Sequence, residues 1–188
     1  MKILVIDNGS RFLPQLLKKL AKQKVTIVRR GFLGRRRLPD FDVAILSGGH
    51  GRSIVNHRKF YKSEIEFVKK SKKPILGICL GFEIIAVAFG GKLSRLGKKE
   101  ERGEVKIDAL ERDGILKRIP KTFDAYEAHK WVLKGAPCQL VSVAQSVDGI
   151  EILKHRARPI YGLQFHPEAT DRKGIGYKIL ANFLREFS

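Results

Sequence analysis

Short, wholly apolar runs alternate along the chain with segments in which apolar residues recur every three or four positions. Ile3 to Ile6 is a continuous apolar run that stops at the turn signal Asp7-Asn8-Gly9, the pattern of a strand buried on both faces. Phe12, Leu13, Leu16, Leu17 and Leu20 then follow helical spacing, with Lys18, Lys19 and Lys22 outside. Val25 to Val28 and Val43 to Leu46 read as the next two strands. A polar glycine loop leads to a helix containing Ile65, Phe67 and Val68, which Lys72-Lys73-Pro74 closes. Ile75 to Ile78 is a fourth strand, and Ile84 to Phe89 a helix ended by Gly90-Gly91. From about Glu104 the texture changes to alternating strands: Glu104 to Ile107, Thr122 to Tyr126, Leu140 to Ala144, Gly149 to Leu153 and Ile160 to Gln164. Tyr177 to Phe187 is the closing helix. The β-α-β-α order predicts an α/β fold with a doubly wound, mostly parallel central sheet flanked by helices, plus a smaller antiparallel strand region. With no internal repeat, low-complexity stretch or linker, residues 1–188 are expected to form a single domain.

Composition narrows the function classes. A chain of 188 residues with 43% apolar content supports its own core, burying roughly 70% of its unfolded surface. No apolar run approaches the ~20 residues of a membrane span, and the stretch before Asp7 is too short for a signal peptide. Two cysteines without a C-x-x-C spacing argue against a disulfide framework and a zinc site, so a cytoplasmic, reduced protein without metal or cofactor is expected. Lys and Arg number 38 against 19 acidic residues, a net charge of +19. The basic clusters Arg29-Arg30, Arg35-Arg36-Arg37, Lys69 to Lys73 and Lys98-Lys99 allow nucleic-acid or acidic-protein binding. No RNA-binding signature, basic zipper or zinc finger accompanies them, so a solvated lysine-rich surface is the simpler reading.

Three segments carry chemistry. In Gly77-Ile78-Cys79-Leu80-Gly81 a buried strand runs straight into a helix, with glycines two residues before and after the cysteine. That is the nucleophile-elbow pattern with sulfur in place of oxygen; Cβ atoms at the flanks would collide, and the helix N-terminus should lower the thiol pKa. Alone, the segment equally describes a small buried cysteine at a strand end. In Gln164-Phe165-His166-Pro167-Glu168, Pro167 favours an extended backbone, so His166 and Glu168 share a side and the carboxylate can hold one imidazole nitrogen. A lone His-Pro-Glu is also a common turn. Ser47-Gly48-Gly49-His50 follows a strand and exposes backbone N–H groups suited to half an oxyanion hole. The same loop lacks the pattern of a phosphate-binding loop.

In order and spacing these three motifs resemble the class I glutamine amidotransferase family over essentially the whole chain. Ile6-Asp7-Asn8-Gly9-Ser10, Phe89-Gly90-Gly91-Lys92 and Glu127-Ala128-His129 look most like the branch that serves GMP synthases. The resemblance implies Cys79 as nucleophile, His166 as base and Glu168 as its orienter, with the Gly49 and Leu80 amides forming the oxyanion hole. It places Gly48, Glu83 and Gln164 around the substrate. It implies glutamine hydrolysis through a thioester and, as partner, a separate ATP-dependent synthetase subunit; no membrane contact is expected, and nucleic acid, allowed by the charge, is not predicted. Two positions depart from the pattern: Phe82-Glu83 stands where the family usually has a glutamine, often preceded by histidine, and His50 replaces the usual proline. Phe-Glu looks like the related γ-glutamyl hydrolases, so cleavage of γ-linked glutamate is the alternative activity, and a non-enzymatic binding module the third reading. His129 reads as a pocket or partner-sensing residue or an ordinary strand-end histidine, Cys138 as a loop or core thiol, and Trp131 as a partner-face or buried aromatic.

Overall fold

A computed structural model describes residues 1–34, 37–97, 101–112, 114–171 and 174–188; Arg35, Arg36, Lys98 and Lys99 of the basic clusters lie outside these. The described elements are β1 (Lys2–Asp7), α1 (Leu13–Lys19), β2 (Lys24–Arg29), β3 (Val43–Leu46), a 3-10 turn (Arg58–Tyr61), α2 (Lys62–Lys70), β4 (Ile75–Ile78) and α3 (Leu80–Ala88). There follow β5 (Leu93–Arg95), β6 (Glu101–Ala109), a second 3-10 turn (Gly114–Leu116), β7 (Thr122–His129), β8 (Trp131–Leu133) and β9 (Leu140–Gln145), then β10 (Ile150–His155), β11 (Ile160–Leu163) and α4 (Ile175–Glu186).

The sheet order is β2-β1-β3-β4-β11-β10-β9-β6-β7, with β5 and β8 forming a separate antiparallel pair. Pairing is parallel from β2 through β11 and antiparallel from β11 to β7. The antiparallel strands therefore continue the central sheet, and only β5–β8 stands apart. The alternation of side chains explains the continuous apolar runs. Ile3, Val5, Val43, Ile45, Leu76 and Ile78 bury one face beneath α1 and α4. Leu4, Ile6, Ala44, Leu46 and Ile75 bury the other beneath α2 and α3. β2 is an edge strand, with Ile27 46% exposed. Lys69, Lys70, Lys72 and Lys73 are exposed, as a solvated lysine face requires.

α3 begins directly after Cys79, four residues before the apolar periodicity suggests, and all nine of its residues are buried. α4 anchors the C-terminus through Phe183, which is fully buried edge-on to Tyr161 and Phe187. A Phe183→Ala variant should lose about 3–5 kcal/mol of stability in urea unfolding, since the flanking aromatic rings cannot collapse into the void. A loss below ~1 kcal/mol would show that α4 is not required for the core. No helix among the described residues is long and apolar enough to cross a membrane.

Candidate active site

Cys79 sits between β4 and α3 with φ 50° and ψ −103°, a left-handed conformation that a non-glycine residue adopts only when its surroundings impose it. Its N–H donates to the Leu163 carbonyl at 2.7 Å, tying the elbow to β11. The flanking glycines are sterically required. A Cβ on Gly77 would lie 2.4 Å from the Gly81 carbonyl oxygen, and one on Gly81 2.4 Å from the Leu46 carbonyl oxygen.

The thiol differs from the sequence expectation. Burial pushes it well above its ordinary range, and the Glu83 and Glu168 carboxyl groups push it further. The Leu80 N–H acts in the opposite direction and is outweighed. The helix N-terminus is present, but a desolvated sulfur among carboxyl groups rests as a thiol. It needs a base beside it.

The segment that follows β11 brings an imidazole beside it. Because β4 and β11 are adjacent and parallel, with Gly77 opposite Gly162 and Ile78 opposite Leu163, the segments that follow both strands emerge at the same end of the sheet. His166 is 4% exposed, and its backbone N–H donates to the Tyr126 carbonyl at 2.8 Å. Its Nδ1 lies 2.9 Å from Glu168 Oε1. Since a carboxylate only accepts, Nδ1 carries the proton and Nε2 is left basic. A Cβ on Gly48 would stand 2.9 Å from His166 Cε1 and 3.6 Å from Cys79 Cβ, so imidazole and cysteine flank one backbone point. Gly49 is held equally tightly: a Cβ there would meet Leu80 Cδ2 at 2.4 Å and the Asn8 carbonyl oxygen at 2.6 Å. Asn8 secures this loop by bonding the Ser47 hydroxyl through its N–H and the Ser47 carbonyl through its side chain.

Cys79, Leu80, Gly49, Glu83 and His166 line one cleft of about 630 Å³, with Arg11, Arg52 and Lys130 also on its walls. The structure thus places basic side chains at the site, which the sequence did not. A second hollow of about 560 Å³, lined by Phe89, His155 and Arg158, contains none of these groups.

Gln164 does not join them. Its side chain is fully buried and lies outside the cleft lining, and its backbone N–H donates to the Glu151 carbonyl. Gly48 lies behind the cleft wall, packed against His166 and Cys79. His129 is buried, lines the cleft and bonds Glu127 at 2.9 Å through Nε2. Among the described residues Glu127, His129 and Glu151 bring donor atoms within 4.8 Å of one another, and Ser146 donates to Glu151 at 2.8 Å. Trp131 is half-buried at the cleft and Cys138 exposed.

Sequence reasoning missed Phe12 and Tyr126 as site residues. The Phe12 ring packs on His166 at 4.5 Å between centroids and edge-on to Tyr126 at 5.8 Å. In the sequence Phe12 merges with the apolar stripe of α1, and only its place just before Pro14, at the helix start, hints otherwise.

A model of the class-I glutamine amidotransferase family matches residues 4–187. The A subunit of the glutamine-hydrolyzing GMP synthase of Pyrococcus abyssi is 35% identical over 188 residues, covering 97% of each chain. That of Methanocaldococcus jannaschii is 31% identical, covering 97% of this chain and 96% of its own. The crystal structure of a protein from Thermoplasma acidophilum, described as a putative A subunit of GMP synthase, superposes with a TM-score of 0.86 at 28% identity, covering 99% of this chain and 93% of that one. A glutamine amidotransferase from Thermotoga maritima, 18% identical, shares the fold with a TM-score of 0.78 over 100% of this chain and 98% of its own.

Proposed function

The chain belongs to the class I glutamine amidotransferase family, and from that premise we propose that it hydrolyses glutamine to glutamate and ammonia and passes the ammonia to a separate ATP-dependent synthetase subunit of the GMP synthase kind. The observation that carries the reading is the convergence of an elbow cysteine and a carboxylate-held histidine on one cleft.

In this scheme His166 Nε2 takes the Cys79 proton as the sulfur attacks the side-chain amide carbon of glutamine. The developing oxyanion accepts hydrogen bonds from the Gly49 and Leu80 N–H groups. His166 returns its proton to the departing nitrogen, the C–N bond breaks, and ammonia leaves a γ-glutamyl thioester on Cys79. Water, deprotonated by His166, attacks the thioester; glutamate departs and the thiol is regenerated. The raised thiol pKa fits this concerted role for the base, since sulfur keeps its proton until substrate is in place. The scheme draws on protein groups and water alone.

Relatives of nearly the same length bear the name of the A subunit of GMP synthase, which supports a partner on another chain. Alone, the protein is expected to release ammonia slowly, and adding the partner synthetase should raise kcat by about tenfold or more by completing the closed geometry around the substrate. The measurement is ammonia release from glutamine alongside cleavage of a γ-glutamyl peptide. Preference for the peptide, with no response to the synthetase, would replace this reading with the γ-glutamyl hydrolase.

A further inference from the structure

We propose that Glu83 works as a neutral carboxylic acid that gates Cys79: protonated, it donates its O–H to an oxygen of the bound substrate; ionised, its charge blocks formation of the thiolate and the oxyanion beside it. The identity of the substrate rests on the glutaminase reading, whereas the gate rests on the burial of Glu83 and its place in the cleft beside Cys79.

Glu83 stands one helical turn beyond the elbow, its N–H bonded to the Cys79 carbonyl at 3.0 Å. It is 4% exposed yet lines the cleft. Among the described residues no donor reaches its carboxyl. Arg11, Arg52, His129 and Lys130 share the cleft walls, and none of them bonds its carboxyl. At the start of its own helix stands Cys79, whose thiol its charge pushes upward. The 3-10 turn presents Tyr61, whose ring hydroxyl accepts from Arg30 and which feels both Glu83 and Glu64 of α2. Across Cys79 stand His166 and Glu168, and His50 and Arg52 occupy the cleft wall. The packed strands β3, β4 and β8 carry no ionisable side chain; Tyr161 of β11 is engaged with Glu186. A carboxylate buried without a cation is costly, and burial alone raises this group to about 8.

A neutral acid offers one donor and one acceptor, as a carboxamide does, in almost the same shape. Glu83→Gln therefore fixes the site in its open state at every pH. The test uses wild type and Glu83→Gln, both carrying Cys138→Ser to remove the exposed second thiol. The variant-to-wild-type ratio of kcat/KM for glutamine should rise about tenfold between pH 7 and 9.5, as Glu83 loses its proton only in the wild type. Iodoacetamide alkylation of Cys79 should reach its midpoint about one pH unit lower in the variant. Parallel pH profiles or coincident alkylation midpoints overturn the gate. Absence of ammonia release from both proteins overturns the glutaminase reading, and alkylation still decides the gate.

Discussion

Replacing Cys79 with alanine is expected to abolish ammonia release from glutamine, a loss of about 10⁴–10⁶ in kcat, while the protein stays folded. The side chain is small, and its removal opens no large cavity. His166→Ala should cost nearly as much, and the double variant little more than either single one, because the two groups act as one unit. Glu168→Gln should be milder, about 10²-fold, because the amide oxygen can still accept the Nδ1 proton across the 2.9 Å contact. Steady-state ammonia release with circular dichroism as the folding control decides the matter. If Cys79→Ala kept most of the activity, the thioester route would be wrong.

The second large effect is expected at Gly81. A methyl group there would press on the Leu46 carbonyl oxygen at 2.4 Å and on Leu46 Cβ at 3.0 Å. Both belong to a fully buried central strand, so neither neighbour yields cheaply. Gly81→Ala should lose about 3 kcal/mol or more and lower Tm by roughly 6–12 °C. It should also displace the first turn of α3 and with it the Leu80 amide, so activity falls beyond what unfolding explains. Gly135→Ala is the contrast, since a methyl group there would have nothing within 4 Å; it should stay within about 0.5 kcal/mol of wild type. Equal effects at the two glycines would remove the steric account of the elbow.

Much of this architecture was legible in the sequence because it is locally encoded. Val43–Leu46 and Ile75–Ile78 are bounded in the structure as their apolar runs suggest. The elbow glycines announce a backbone collision, and His166-Pro167-Glu168 an extended pair. What escaped depends on distant partners. β5 and β8 are three residues each and exist because they pair with one another. The start of α3 was hidden by Gly81, a poor helix former retained for its fit against β3. The resting thiol could not be foreseen, since it depends on how deeply the elbow is buried and on Glu83 and Glu168 standing beside it. Gln164 shares a motif with His166 yet faces the core, a difference that only the packing around β10 and β11 reveals.

The position of β11 also orders the assembly of the site in time. This strand is seated between β4 and β10, and it is the last strand among the described residues. During synthesis the first four strands and α3 leave the ribosome before it, and until it follows the Cys79 N–H lacks its Leu163 acceptor. Cys79 and His166 are almost half a chain apart in sequence, so their meeting requires closure of a large loop. A nascent or truncated chain thus holds the sulfur without its proton acceptor. A chain cut before Ile160 is therefore expected to release no ammonia from glutamine, however well its first four strands fold.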